Sequence, residues 1–249
     1  MSERILVAVA WPYANGSIHL GQVAGAYLPA DIFARYHRMR GNDVLMVSGS
    51  DSHGTPVTLA AESRGISVEE VFGQYHTEFL DNWERLGITF DLFTSTHTDN
   101  HTTVAQELFL KLLDSGHIYK DSMLQPYCET NGRFLADRYV EGQCPNCDFD
   151  QARGDQCDNC GRTLDPQDLI DMKCKLCGDS PVIRNTEHFF LKLSAFEDQL
   201  LEWVRLQEHW KPNVKNFTTG FLEGGLKDRA ITRDITWGIP VPLEGFESK

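Results

Sequence analysis

The sequence predicts an α/β fold, a Rossmann-like doubly wound parallel sheet interrupted by a smaller metal-bearing insertion. Three observations carry this. Apolar strand-like runs alternate with amphipathic helical stretches through the first half of the chain. The segments that follow the first two strands are rich in Gly, His and small polar residues. Six of the seven cysteines fall as three C-x-x-C pairs within residues 144–177.

The first strand is read at Ile5–Ala10, followed by a turn rich in Pro, Asn and Gly and then by a helical stretch to Arg40, with Gly41 as its stop. A second strand at Val44–Val47 delivers the small polar run Ser48–Thr55, where Thr55 is expected to cap the helix that Pro56 begins. Ser67 and Glu70 have capping-box spacing, Val68, Phe72, Tyr75 and Phe79 recur on one helical face, and Gly87 closes that helix. Val104, Leu108 and Leu112 mark a further amphipathic helix ended by Gly116. Beyond about residue 118 the texture changes to short strand-like pieces and turns. A helix returns at Ser194, whose spacing to Glu197 again suggests a capping box, and Ile231–Val241 reads as a loop and a late strand. The expected division is residues 1–117 for the first half of the nucleotide-binding domain, 118–225 for the insertion and 226–249 for the return to the sheet.

Composition narrows the function. The chain has 249 residues and 41% hydrophobic residues, enough for an extensive core, and a net charge of −13 that excludes a generally basic nucleic-acid coat. Any RNA contact is local. The longest purely apolar run, Ile5–Trp11, is far shorter than the ~20 residues that cross a bilayer, and no small-residue cleavage site follows it. The expectation is a soluble cytoplasmic protein.

Cys144, Cys147, Cys157 and Cys160 have the spacing of a closed tetrahedral zinc site, structural because four thiolates leave no position for substrate water. Disulfides and a reactive dithiol are the alternatives. Cys174 and Cys177 form a third pair. Cys128 lies upstream with Asn131 where C-x-x-C would need its second cysteine, so a second site has three thiolates, or three free thiols stand in a degenerate knuckle.

Neither G-x-G-x-x-G nor a Walker lysine motif is present, which removes the main support for dinucleotide or P-loop chemistry. The segment from Trp11 to Gln22 lies between strand and helix, where phosphates meet unpaired helix amides. There His19 can stabilise charge on a phosphoryl group and Gly21 allows close backbone approach, against a plain structural role for His19. Gly49–Pro56 reaches the same carboxyl edge of the sheet, and its Asp51 can pair with a ligand ammonium or merely cap a helix.

With PYANGSIHLGQ at residues 12–22, GSDSHGTP at 49–56, the cysteine knuckles at 144–177 and TRDITWGIPVP at 232–242, the chain resembles the N-terminal part of the class I aminoacyl-tRNA synthetases of the methionyl branch. The resemblance implies ATP-dependent activation of L-methionine to methionyl-adenylate and transfer to tRNA(Met). It implies ATP with Mg2+ as substrate and one structural Zn2+, or two. It places Tyr13, Asn15, His19, Gly21 and Gln22 at ATP, with His19 and Gln22 in the catalytic role. Trp11, Tyr13, Asp51 and Arg233 fall at methionine.

Gln22 stands where the family's HIGH signature ends in histidine, and Asn131 where two-zinc relatives carry a fourth cysteine. The lysine-bearing KMSKS loop, the VW-x-DAPIGY segment and the anticodon-binding helical domain are not found in residues 1–249. The expectation is an N-terminal part, nearly inert alone, completed by the rest of a full-length chain or by a split partner. The competing reading is a zinc-knuckle module on a degenerate nucleotide fold that contacts tRNA or protein without catalysis.

Overall fold

A computed structural model describes residues 2–249. They form two compact units, one of residues 2–105 with 237–239 and the other of residues 106–236 with 240–249.

In the first unit, β1 (Arg4–Ala8) runs into a long turn and then into α1 (Leu20–Gln22), a π-helical turn at Val23–Tyr27 and α2 (Leu28–Met39). Gly41 ends this stretch at a φ of 81°, a left-handed conformation that glycine reaches without a Cβ clash. β2 (Asp43–Ser50) leads to α3 (Thr55–Arg64), α4 (Val68–Leu86) and β3 (Leu92–Ser95), and α5 (Asp99–Asp114) follows. The three strands are parallel in the order β1-β2-β3, with Ala8 opposite Val47 and Ser50 opposite Ser95. This is the predicted parallel α/β arrangement.

The π-helical turn supplies Tyr27, and helices α2 and α4 supply Ala34, Phe79 and Trp83, to one core with Val9 and Met46, so one sheet face is packed. On the opposite face Leu6, Leu45 and Leu92 remain 51–65% exposed. The capping box at Ser67 forms as read: Ser67 Oγ accepts from Glu70 N and Glu70 Oε2 accepts from Ser67 N. Two readings here need correction. β2 continues to Ser50, because Ser48, Gly49 and Ser50 pair with Phe93, Thr94 and Ser95. Thr55 is the first residue of α3 and not its cap; Gly54 occupies that position in extended conformation, without a side-chain bond.

The second unit is built on a long antiparallel ribbon of β4 (Ile118–Cys128) and β9 (Val182–Leu191), flanked by β5 (Arg133–Phe134) and β10 (Arg229–Ala230). A smaller antiparallel sheet of β6 (Val140–Gln143), β7 (Ala152–Arg153) and β8 (Ile170–Cys174) carries the cysteine turns. The helices α6 (Glu197–Arg205) and α7 (Pro212–Glu223) complete it.

Three further readings change in this unit. The expected short pieces are present, but the eleven- and ten-residue strands β4 and β9 stand beside them unforeseen. Ser194 does not cap α6, since its N and Oγ both donate to Asp228 Oδ1 at 3.0 and 2.7 Å, while Glu197 Oε2 accepts from Leu226 N. Residues 231–241 hold no strand; the two-residue β10 lies just before them, and Ile231 N adds one further bond to Phe189 O at 2.8 Å. Among the described residues no helix is long and apolar enough to cross a membrane.

Candidate functional site

Beyond the carboxyl ends of β1 and β2, two loops are stitched directly together. Asp51 N donates to Pro12 O at 2.8 Å and Ala14 N donates to Asp51 O at 2.9 Å, so Tyr13 and Asp51 form an isolated parallel bridge. Two glycines allow the close approach. A Cβ on Gly49, near the end of β2, would stand 2.6 Å from Thr94 O and 2.8 Å from the Trp11 ring, and one on Gly54 would stand 2.3 Å from Tyr13 Cε1. Neither glycine has a positive φ, so close packing rather than backbone conformation explains them. Trp11 and Tyr13 nevertheless keep 40% and 46% of their surface exposed, at the carboxyl edge where α/β sheets bind ligands. Asn15 is half-buried in the turn that follows.

His19 caps α1. Its Nδ1 accepts from Gln22 N at 3.3 Å while its own N–H donates to Gln22 Oε1 at 3.1 Å, a reciprocal capping box. An Nδ1 that accepts requires the neutral ring to carry its proton on Nε2, which leaves an N–H donor on the far side of the ring. Gln22 thus supports the orientation and tautomer of His19. Gly21 lies against that ring, where a Cβ would come within 3.1 Å of Nδ1. The wide π turn at Val23–Tyr27 follows immediately. Such turns often mark functional sites.

Asp51 is half-buried, with Oδ1 accepting from His53 N at 3.2 Å. Burial pushes its carboxyl above the usual carboxylate range, while the His53 N–H and the nearby His101 pull in the opposite direction. Beside it stands an aromatic wall not recognised in the sequence. His53 Nε2 is 3.3 Å from His97 Nδ1, the His97 ring stacks on Trp237 at 4.8 Å, and Trp237 Nε1 donates to Ser52 O at 2.5 Å. Ser52 bonds Thr96 Oγ1 through both N and Oγ, which ties this wall to the end of β3. Burial foremost, then the neighbouring His97 and His101, push His53 down to about 4. His53 is therefore uncharged near neutral pH. His97 and His101 had one sequence signal: they follow a third strand at the same carboxyl edge.

Arg233 belongs to the second unit. Its Nη1 donates to Ala230 O and Thr232 O at 2.7 and 2.8 Å, and its Nη2 lies 3.8 Å from Asp137. The same loop is held by Asp234, which bonds buried His188 at 3.0 Å and Lys249 at 2.5 Å.

The second unit also gathers Cys144, Cys147, Cys157 and Cys160, whose sulfurs lie within 4.8 Å of one another. The Cys144–Cys160 and Cys147–Cys157 sulfur distances are 3.9 and 3.6 Å. A zinc–sulfur bond of about 2.3 Å gives a tetrahedron with edges of about 3.8 Å, so the donor set fits zinc. A disulfide needs about 2.05 Å, which these distances exclude. Cys128, Cys174 and Cys177 make a second group of the same spread, with Asn131 beside them.

Comparisons with known proteins match nearly the whole chain to one family. A family model described as tRNA synthetases class I (M) matches residues 5–249. The methionine–tRNA ligase of Thermomicrobium roseum is 59% identical over 249 residues, covering 100% of this chain and 43% of the relative. That of Dehalococcoides mccartyi is 60% identical, covering 100% of this chain and 45% of the relative. The chain therefore spans less than half the length of these curated relatives. Among solved structures, Mycobacterium tuberculosis methionyl-tRNA synthetase in complex with methionyl-adenylate superposes with a TM-score of 0.72 at 25% identity, over 97% of this chain and 43% of that one.

Proposed function

The chain belongs to the methionine family of class I tRNA synthetases, and on that premise we propose that the protein of which it forms part is a cytoplasmic methionine–tRNA ligase. The carboxylate oxygen of L-methionine attacks the α-phosphorus of ATP, pyrophosphate leaves, and methionyl-adenylate forms. A hydroxyl of the terminal adenosine of tRNA(Met) then attacks the methionyl carbonyl, and AMP leaves.

The observation that supports this best is the direct bonding of the His19 loop to Asp51 through Pro12 and Ala14. It brings a phosphate-type helix start and a carboxylate to one sheet edge. In this reading Asp51 holds the methionine ammonium through charge-assisted bonds. Trp11, Tyr13 and the His97–Trp237 stack offer ring faces and edges to the thioether. The Nε2–H of His19 donates to phosphate oxygens as charge develops on them, while Gly21 and Asn15 allow the nucleotide to approach. Catalysis is positioning and charge stabilisation, with no protein nucleophile. Mg2+ bound with ATP would supply neutralisation of phosphate charge. Arg233 contributes to substrate binding, and the four-cysteine cluster holds one structural zinc.

The test is methionine-dependent exchange of pyrophosphate into ATP by the complete protein. Exchange is expected with methionine and not with leucine, isoleucine or valine. Asp51→Ala should raise the methionine KM while largely sparing the ATP KM. His19→Ala should lower the exchange rate by about 10² to 10³. An exchange dependent on another amino acid would reject the specificity, and unchanged methionine affinity in Asp51→Ala would reject its role.

A further inference from the structure

The group of Cys128, Cys174 and Cys177 has only three sulfurs, yet four turns of the second unit share one backbone design. In the complete cluster, Asp148 N donates to Cys144 O at 3.0 Å and Cys144 N to Phe149 O at 2.8 Å. Gly161 N likewise donates to Cys157 O at 2.9 Å and Cys157 N to Arg162 O at 2.9 Å. Each turn places a left-handed residue one position after its second cysteine, with Asp148 at a φ of 58° and Gly161 at 71°. The Cys174–Cys177 turn repeats this: Gly178 N donates to Cys174 O and Cys174 N to Asp179 O, both at 2.8 Å, with Gly178 at 81°. The turn at Cys128 shares the left-handed position, with Gly132 at 63°, and the pairing of the first cysteine with the residue five further on, Arg133. Position 131 therefore corresponds to the second ligand position of the other three turns.

Asn131 occupies it. Its backbone N–H donates to Cys128 Sγ at 3.4 Å. Its carboxamide end stands 3.1, 3.4 and 3.3 Å from the sulfurs of Cys128, Cys174 and Cys177. Cys128 and Cys177 are 3.5 Å apart. The amide end therefore caps a triangle of sulfurs at near-equal distances, the fourth corner of a tetrahedron. A half-turn about its last torsion exchanges Nδ2 for Oδ1 at that corner, and the oxygen is a metal donor. Thr130 Oγ1 bonds Asp179 Oδ2 at 2.6 Å and so ties the two turns together across the site.

We propose that Cys128, Cys174, Cys177 and the Asn131 carboxamide oxygen form a second zinc site, three sulfurs and one oxygen. Replacing a thiolate by a neutral oxygen removes one charge and one soft donor. This site therefore releases its ion before the four-cysteine site does. The neutral oxygen also lowers the repulsion among negatively charged ligands.

The test uses the 249-residue chain loaded with zinc, desalted, and titrated with a chromogenic chelator, with Co2+ substitution to read thiolate ligation. The wild type should hold an ion at each cluster and release them in two steps. Asn131→Asp should hold both, and Asn131→Cys should tighten the weaker step by at least about tenfold. Asn131→Leu should keep only the tight ion, with circular dichroism confirming an intact fold. Wild type, Asn131→Asp and Asn131→Leu all holding a single ion would overturn the proposal, since the amide then only fills a metal-free thiol cluster. Equal affinity of the weaker step in wild type and Asn131→Leu would overturn it too, since water would then be the fourth ligand.

Discussion

Asp51 and His53 share one loop but are pushed in opposite senses by the same burial, which in each case favours the uncharged form. For His53 this has a measurable consequence. Its folded value is about 4, against about 6.5 in an unfolded chain. Between these values the unfolded state binds more protons, so stability is full above the unfolded value and is lost as pH falls through the window. His53→Gln should flatten the decline of urea-unfolding free energy between pH 6.5 and 4.5 relative to wild type; parallel declines would show that His53 does not carry it. Proton NMR should place the midpoint of His53 below that of an exposed imidazole. Much of this site could be read from the sequence, because Asp51, Trp11 and Tyr13 sit in short loops after recognisable strands. The aromatic wall could not. His97 and Trp237 are far apart in sequence, and a lone histidine or tryptophan carries no local pattern that announces its partner.

Two serines with the same spacing to a glutamate show how elements override local signals. Ser67 and Glu70 face no competing partner and close their capping box onto α4. Ser194 has a carboxylate within reach, and Asp228 takes both its N–H and its hydroxyl. Glu197, the carboxylate that a box at Ser194 would need, is itself taken by Leu226 N, so both Ser194 donors go to Asp228. Ser67→Ala should therefore cost about 1 kcal/mol of unfolding free energy by urea titration, the usual worth of an N-cap. A change near zero would mean that tertiary packing alone fixes the start of α4. The same logic explains the long β4–β9 ribbon that the sequence does not reveal. Its strands break strict alternation, since β4 carries Lys120, Asp121 and Ser122 in succession and Pro126 near its end. Ten consecutive cross-strand pairs, Ile118 with Leu191 through Tyr127 with Val182, define it instead. Pairing of that kind is a long-range fact that no window of sequence contains. The cysteine knuckles are the opposite case, because their spacing is itself the structure.

At the scale of the molecule, the two units are stabilised by different means. The first has a continuous apolar core in which Met46, Phe79 and Ala34 are fully buried between sheet and helices. The small sheet of the second unit has strands of four, two and five residues. Its buried residues are few, among them Val140, Ala152, Leu164 and Leu169, with Cys144, Cys157 and Cys174 completely covered. So little apolar area cannot by itself offset the entropy of ordering the turns around it, and small scaffolds of this kind need a staple. Metal binding to thiolates that an unfolded chain does not pre-arrange is folding free energy for that segment. An excess of a strong zinc chelator should therefore unfold residues 137–180 selectively. Hydrogen exchange should show amide protection lost across β6, β7 and β8 while α3, α4 and the parallel strands keep theirs. Loss of protection in both units together would mean that the metal supports the whole chain, and retention in both would mean that backbone pairing alone holds the knuckles.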